Sequence, residues 1–431
     1  MSFPEYGNYR ESGIPWVGAL PAHWGVLPLV GVARERTESN VGMQENNLLS
    51  LSYGRIVRKD IDSNNGLLPE SFETYQIVQR GDIVLRLTDL QNDKRSLRSA
   101  QVQERGIITS AYLALEPKGA SSAFLAYLLR AYDLGKVFYS MGGGLRQSMK
   151  FADLKRMPIA VPSEPEQTAI TAFLDRETEK IDALVAEQEK LVTLLAEKRQ
   201  ATICHAVTKG LKPNAPMKDS GVEWLGQVPG HWSIKPFFCV APECYEPNDG
   251  MREDNLLSLS YGRIVRKNIE SNEGLLPESF ETYQIIRPNE IVFRLTDLQN
   301  DKRSLRTALV EEQGIITSAY TAVKPTGIHA RYLNYLLRAY DVTKVFYSMG
   351  GGLRQSMKFA DIKRLPTLIP PSTEQTNIVT FLDLETAKLD ALRAESERAI
   401  TLLKERRSAL IAAAVTGQID VCGLVPQPKA A

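Results

Sequence analysis

The sequence predicts an α+β protein written twice, with two globular α/β domains alternating with two long α-helices. Three observations predict it. The chain matches itself at a constant offset of 208 residues with no insertion or deletion. Each copy passes from short β-rich runs punctuated by Gly, Asn and Pro into a long stretch with apolar residues at heptad spacing. At 431 residues the chain also exceeds what one core organises, given a prior of about 150 residues per domain. The boundaries read as a first globular domain over 1–160, a helical region over 161–210, a second globular domain over 211–368 and a second helical region over 369–431.

Each copy opens on a Gly-x-x-Trp-x-Gly-x-x-Pro-x-His-Trp pattern, Gly13 to Trp24 and again Gly221 to Trp232. The runs Gln76-Ile77-Val78, Asp82-Ile83-Val84-Leu85 and Gly106-Ile107-Ile108-Thr109 read as short strands between long polar loops. Residues 123–133, and 331–341 in the second copy, carry Phe124, Tyr127, Leu128 and Ala131 at helical spacing and read as a core helix. The long helices begin at Ser163-Glu164-Pro165-Glu166, a capping-box pattern with proline in the first turn, and at Ser372-Thr373-Glu374-Gln375. Heptad spacing places Ile170, Leu174, Ile181, Leu184, Leu191 and Leu195 on one seam, and Ile378, Leu382, Leu389, Leu392, Leu403 and Leu410 on the other, so each helix calls for a partner helix. At 1.5 Å rise per residue, such a helix extends roughly 60 Å.

Composition narrows the function. Hydrophobic residues form 43% of the chain and charged residues 24%, enough apolar material for folded cores. The four cysteines, Cys204, Cys239, Cys244 and Cys422, are too sparse for a disulfide framework, and the N-terminus lacks a secretory pattern, so a cytoplasmic location is expected. The longest apolar run, Ala409 to Val415, falls far short of the roughly 18 residues of a membrane span. No phosphate-binding loop, dinucleotide fingerprint, HExxH or GxSxG motif occurs, and the one Pro-Pro pair, Pro370-Pro371, lacks the Asn or Asp and the aromatic residue of a DNA-methylating site. An enzyme is not expected. Cys239 and Cys244 near His231 have Gly31 and Arg36 as counterparts of the cysteines, so no metal site is expected, and His23 and His231 read as packing residues.

The net charge of +1 averages unlike segments. Residues 47–160 hold 16 Lys and Arg against 11 Asp and Glu, whereas the helix over 164–209 holds 6 against 9. The two copies also diverge unevenly: 53 of 66 positions from 47 to 112 are identical to those from 255 to 320, but only 24 of 41 from 167 to 207 match those from 375 to 415. Three polar stretches are repeated unchanged. The first contains Tyr53, Arg55, Arg58 and Lys59; the second Arg86, Thr88, Gln91, Asn92, Lys94, Arg95 and Arg98; the third Gly143, Gly144, Arg146, Gln147, Ser148 and Lys150. Their twins are Tyr261, Arg263, Arg266 and Lys267; Arg294, Thr296, Gln299, Asn300, Lys302, Arg303 and Arg306; and Gly351, Gly352, Arg354, Gln355, Ser356 and Lys358. Arg and Lys suit phosphates and guanine edges, Asn and Gln suit adenine edges, and glycine lets backbone amides approach a phosphate, so these stretches predict a double-stranded DNA interface.

The segment from Pro158 and Pro162 through Glu166-Gln167, Ile170 and Phe173-Leu174-Asp175 to Ile181-Asp182 and Leu184 resembles the specificity (S) subunit of type I DNA restriction-modification systems. Pro366, Pro370, Glu374-Gln375, Phe381-Leu382-Asp383 and Leu389-Asp390 repeat the signature. The resemblance covers the whole chain. It implies two target recognition domains held apart by an antiparallel coiled coil, each reading half of a bipartite DNA sequence. It implies two methyltransferase (M) subunits that bind S-adenosylmethionine, no cofactor on this chain, and two restriction/translocase (R) subunits in a restricting complex. In that family the helical regions are typically the similar part and the recognition domains differ; here the relation is reversed. An antiparallel helix pair relates the domains by a pseudo-two-fold axis, and two-fold related readers contact inverted copies of one half-site. A near-palindromic target follows. A self-contained DNA-modifying enzyme and a coiled-coil adaptor without a DNA role are the rival readings.

Overall fold

The structure, a computed structural model, describes residues 3–60, 69, 71–90, 97–141, 148–267, 279–296, 305–346 and 356–424. It divides into two compact units, Met1–Gln188 with Arg398–Ala431, and Glu189–Glu397. Each unit combines a globular domain with one end of the first long helix (Glu164–Lys209) and the opposite end of the second (Ser372–Val415).

In the first unit a four-stranded antiparallel sheet runs in the order Ala33–Glu35, Leu113–Pro117, Ile83–Leu85, Ser99–Gln101. Ile83, Val84 and Leu85 are all buried, as expected of a continuous apolar run in a strand covered on both faces. Gln76–Val78 pairs with Gly106–Ile108, and Leu49–Ser52 with Arg55–Arg58. The helix Ser122–Leu134 follows; Ser121 caps it by accepting from the Phe124 amide, and Phe124, Leu125, Leu128 and Leu129 form its buried stripe. The second unit repeats this plan, with the sheet order Glu243–Cys244, Thr321–Val323, Ile291–Phe293, Thr307–Leu309 and the helix Ala330–Val342.

The long helices complete both cores. In the first unit Ile170, Phe173, Leu174 and Ile181 meet Leu410, Ile411, Ala414 and Val415 around Trp24 and Phe124. In the second, Ile203, Ala206 and Val207 meet Ile378, Val379 and Leu382 around Trp232 and Tyr332. The helices run antiparallel within each unit: Arg407 Nε lies 2.9 Å from Asp182 while Arg176 donates to the Leu424 carbonyl, and Arg199 pairs with Asp390 while Gly210 abuts Glu374. The two interhelix ion pairs are one contact made twice, since 199 and 390 stand at the 208-residue offset from 407 and 182.

One expectation needs correction. The predicted seam is not continuous: Leu184, Leu191 and Leu392 are 47%, 40% and 49% exposed, whereas Leu174, Ile181, Leu195, Leu382, Leu389 and Leu410 are buried. Burial is deepest toward the helix ends, where a globular domain supplies a third wall that a helix pair alone lacks. Among the described residues no helix is long and apolar enough to cross a membrane.

The motif residues of the helix starts each have a structural task. Glu166 accepts from the Ser163 amide and hydroxyl, from Trp24 Nε1 at 3.2 Å, and lies 2.7 Å from His23 Nε2. Buried Gln167 donates to the Pro162 carbonyl and accepts from the Ser121 amide at 2.7 Å, which locks the globular helix to the long one. Asp175 accepts from the Tyr127 hydroxyl. Gln375 with His329, Asp383 with Tyr335 and Glu374 with His231 repeat all three links. The histidines therefore do pair with carboxylates, but with ones 143 residues away, beyond the reach of a short-range reading.

Candidate nucleic-acid interface

The first polar stretch is a two-residue β-hairpin. Ser52 pairs with Arg55, leaving Tyr53 and Gly54 as the loop, with φ of 45° and 76°. Two positive φ values mark the type I′ geometry whose twist suits a tight hairpin. The side chains of Tyr53, Arg55, Arg58 and Lys59 are exposed, as are those of Tyr261, Arg263, Arg266 and Lys267. Arg58 is held by Glu104 and Arg266 by Glu312; the hydrogen bond from each arginine keeps its glutamate below the usual carboxylate range. Arg55 approaches Asp182 at 4.0 Å.

The second stretch is organised from inside. Arg98 is fully buried; its guanidinium donates to the carbonyls of Thr88 at 2.7 Å and Asp89 at 3.2 Å, and its Nε to the Tyr139 hydroxyl at 3.3 Å. Arg306 is equally buried and donates to the Thr296 carbonyl. This corrects the expectation that Arg98 and Arg306 face DNA: their donors are directed into the domain, where they fix the bases of the loops. Arg86, Thr88, Arg294 and Thr296 are half-buried at those bases. Gln91, Asn92, Lys94 and Arg95, with Gln299, Asn300, Lys302 and Arg303, lie outside the described residues.

The third stretch meets the second. The Met149 amide donates to the Leu87 carbonyl at 3.0 Å, and Met357 does the same to Leu295 at 2.8 Å. Ser148, Lys150, Ser356 and Lys358 are exposed, while Gly143, Gly144, Arg146, Gln147, Gly351, Gly352, Arg354 and Gln355 lie outside the described residues. A second, half-buried arginine ties in the hairpin: Arg130 donates to the carbonyls of Gly54, at 2.6 Å, and Ser99, next to Arg98. Burial draws the Arg130 pKa down to about 10. The three stretches, far apart in sequence, thus share one scaffold of Arg98, Arg130 and Tyr139. A cleft of about 800 Å³ lies beside the hairpin, with Tyr53, Arg55, Lys404 and Arg407 in its wall.

Sequence reasoning missed Arg130 and Arg338. Their signal was a cation kept in both copies within the Leu-Leu-Arg-Ala-Tyr-Asp run of an apolar-striped helix. It missed Asp133 and Asp341 as well, which accept from the amides of Arg98 and Arg306. Burial raises Asp341 to about 6. A carboxylate raised in the folded state binds its proton more tightly there, so the stability it contributes is present below the unfolded value near 4 and is lost as pH rises through about 6. Asp341→Asn, which cannot ionise, should therefore gain on the wild type by up to about 3 kcal/mol between pH 4 and pH 7. Urea unfolding of both proteins across that range checks it, and a pH-independent difference would refute the assignment.

The described architecture has counterparts among solved structures. A chain from a structure on complex assembly and conformational transition of the type I R-M system superposes with a TM-score of 0.61 at 16% identity, covering 92% of this chain and 98% of that one. The HsdS subunit from Thermoanaerobacter tengcongensis superposes with a TM-score of 0.51 at 16% identity, with the same coverage. No family model matches the sequence, and no curated protein matches it closely enough to count as a relative. Over 92% of its length, the chain has the fold of a type I restriction-modification specificity subunit.

Proposed function

We propose that this chain is the DNA-recognition subunit of a type I restriction-modification complex and is itself non-catalytic. The observation that carries this reading is the fold match across 92% of the chain to a protein of such a system. The paired polar scaffolds described above supply a second support, because each places aromatic and cationic side chains on one exposed hairpin. On this reading each globular domain binds one half of a bipartite double-stranded DNA target. Two methyltransferase subunits carrying S-adenosylmethionine dock on the S chain and methylate adenine, two restriction/translocase subunits join in a restricting complex, and the assembly is cytoplasmic.

The two halves of the target are read as inverted copies of one sequence. All described hairpin candidates are identical between copies, from Tyr53 and Tyr261 to Lys59 and Lys267, and identical readers select identical bases. Methylation-sensitive sequencing of a host expressing the chain with its methyltransferase subunits should show modified adenines within one half-site repeated in inverted orientation. Two unrelated half-sites would overturn the palindrome, and the absence of chain-dependent methylation would overturn the function.

A further inference from the structure

We infer that Tyr53 and Tyr261 are aromatic wedges that stack into the DNA base stack at each half-site, and that Arg130 and Arg338 are positioning residues that hold them rigid. This rests on the DNA-recognition reading above and adds to it a mode of contact and a pair of half-buried positioning residues.

The first loop position of a type I′ hairpin favours Asn, Asp or Gly, because φ is positive there. A tyrosine at φ 45° or 46° is a strained choice that folding alone does not require, and it occurs in both copies. Nor does burial compensate, since the two rings are 78% and 72% exposed. Each is a large planar apolar surface held in water beside Arg55, Arg58 and Lys59 or their twins. A flat ring flanked by cations matches nucleic acid, where bases offer π-faces and phosphates offer charge.

Each hairpin turn is also held rigidly against its domain. The Gly54 carbonyl is gripped by Arg130 and the Gly262 carbonyl by Arg338, both at 2.6 Å. A Cβ on Gly54 would sit 2.5 Å from Arg130 Nη1, and one on Gly262 would sit 2.8 Å from Leu305, so the turn backbone is packed directly against the domain. Drawing a guanidinium partly out of water to hold a surface turn is costly, and both copies do it, since Arg130 and Arg338 are each half-buried. A wedge must not yield when pushed against stacked bases, and this device supplies that resistance.

The test uses the complete complex with its methyltransferase subunits and a duplex carrying 2-aminopurine at successive half-site positions. Wild type should brighten the probe at one step per half-site. Tyr53→Ala with Tyr261→Ala should abolish that signal and weaken cognate binding by roughly thirtyfold or more, the loss expected when one stacked base is given up at each of two half-sites. The slope of log affinity against log salt should stay unchanged, because no phosphate contact is removed. The Phe variants should restore both signal and affinity. Arg130→Lys with Arg338→Lys should reproduce the dimmed signal with the salt slope again unchanged. If the wild-type complex binds DNA and the alanine variant binds equally with the same fluorescence, the wedge is overturned while the recognition function stands. If wild type does not bind DNA at all, both fall. Loss of methyltransferase assembly in the alanine variant would instead make the tyrosines a protein contact and overturn the inference.

Discussion

Arg98→Ala is expected to destabilise the first unit by about 3 kcal/mol or more, the range found when a buried charge loses its partner. The deletion leaves the carbonyls of Thr88 and Asp89 without their buried donor. It also strips one cation from the surroundings of Asp133, whose carboxyl burial already raises above its ordinary pKa. Arg98→Lys should recover only part of the loss, because one ammonium cannot span the fork that reaches two carbonyls and the Tyr139 hydroxyl. DNA binding should fall further than stability predicts, since the same guanidinium sets the base of the second polar stretch. Urea unfolding followed by the Trp fluorescence of the chain, together with gel-shift titration of the assembled complex at a temperature where the variant remains folded, checks both parts. Full retention of stability would show that the arginine is dispensable.

Trp24→Ala should cost about 3–5 kcal/mol, as large-to-small substitutions of buried aromatics do. Trp24 is 1% exposed, packs edge-on against Phe124 and Tyr6, and touches the helix start through Glu166. Its twin offers an internal control. Trp232 is equally buried, but its Nε1 has no hydrogen-bond partner among the described residues. Trp24→Phe should therefore cost about 1 kcal/mol more than Trp232→Phe, the net worth of one hydrogen bond. Thermal melts of the two single variants would show it, and equal costs would mean that the indole bond to Glu166 contributes nothing.

Much of the fold was legible because its signals are local or periodic. The strands around Ile77, Val84 and Ile107, the helix carrying Phe124 and Leu128, and both long helix starts follow from side-chain spacing and capping chemistry. The duplication was legible because identity at a fixed offset needs no geometry. The candidate interface was legible only as three stretches of suitable chemistry. Arg98 and Arg306 looked like surface cations, since sequence records charge and not direction. Leu184, Leu191 and Leu392 looked like seam residues, since heptad spacing does not say where a third wall is present.

The sequence by itself determined the repeated unit, the element types and the family resemblance, all of which depend on residues close in the chain or on the copy 208 positions away. Tertiary structure alone decided which cations are structural, that His23 and Glu166 meet, and that Arg130 joins the hairpin at Gly54 to the strand at Ser99. It also decided that each unit draws on both long helices. The physical reason is the same in each case. A hydrogen bond or a buried side chain depends on distance and desolvation, and for residues that fold together from remote positions neither is written in their order along the chain.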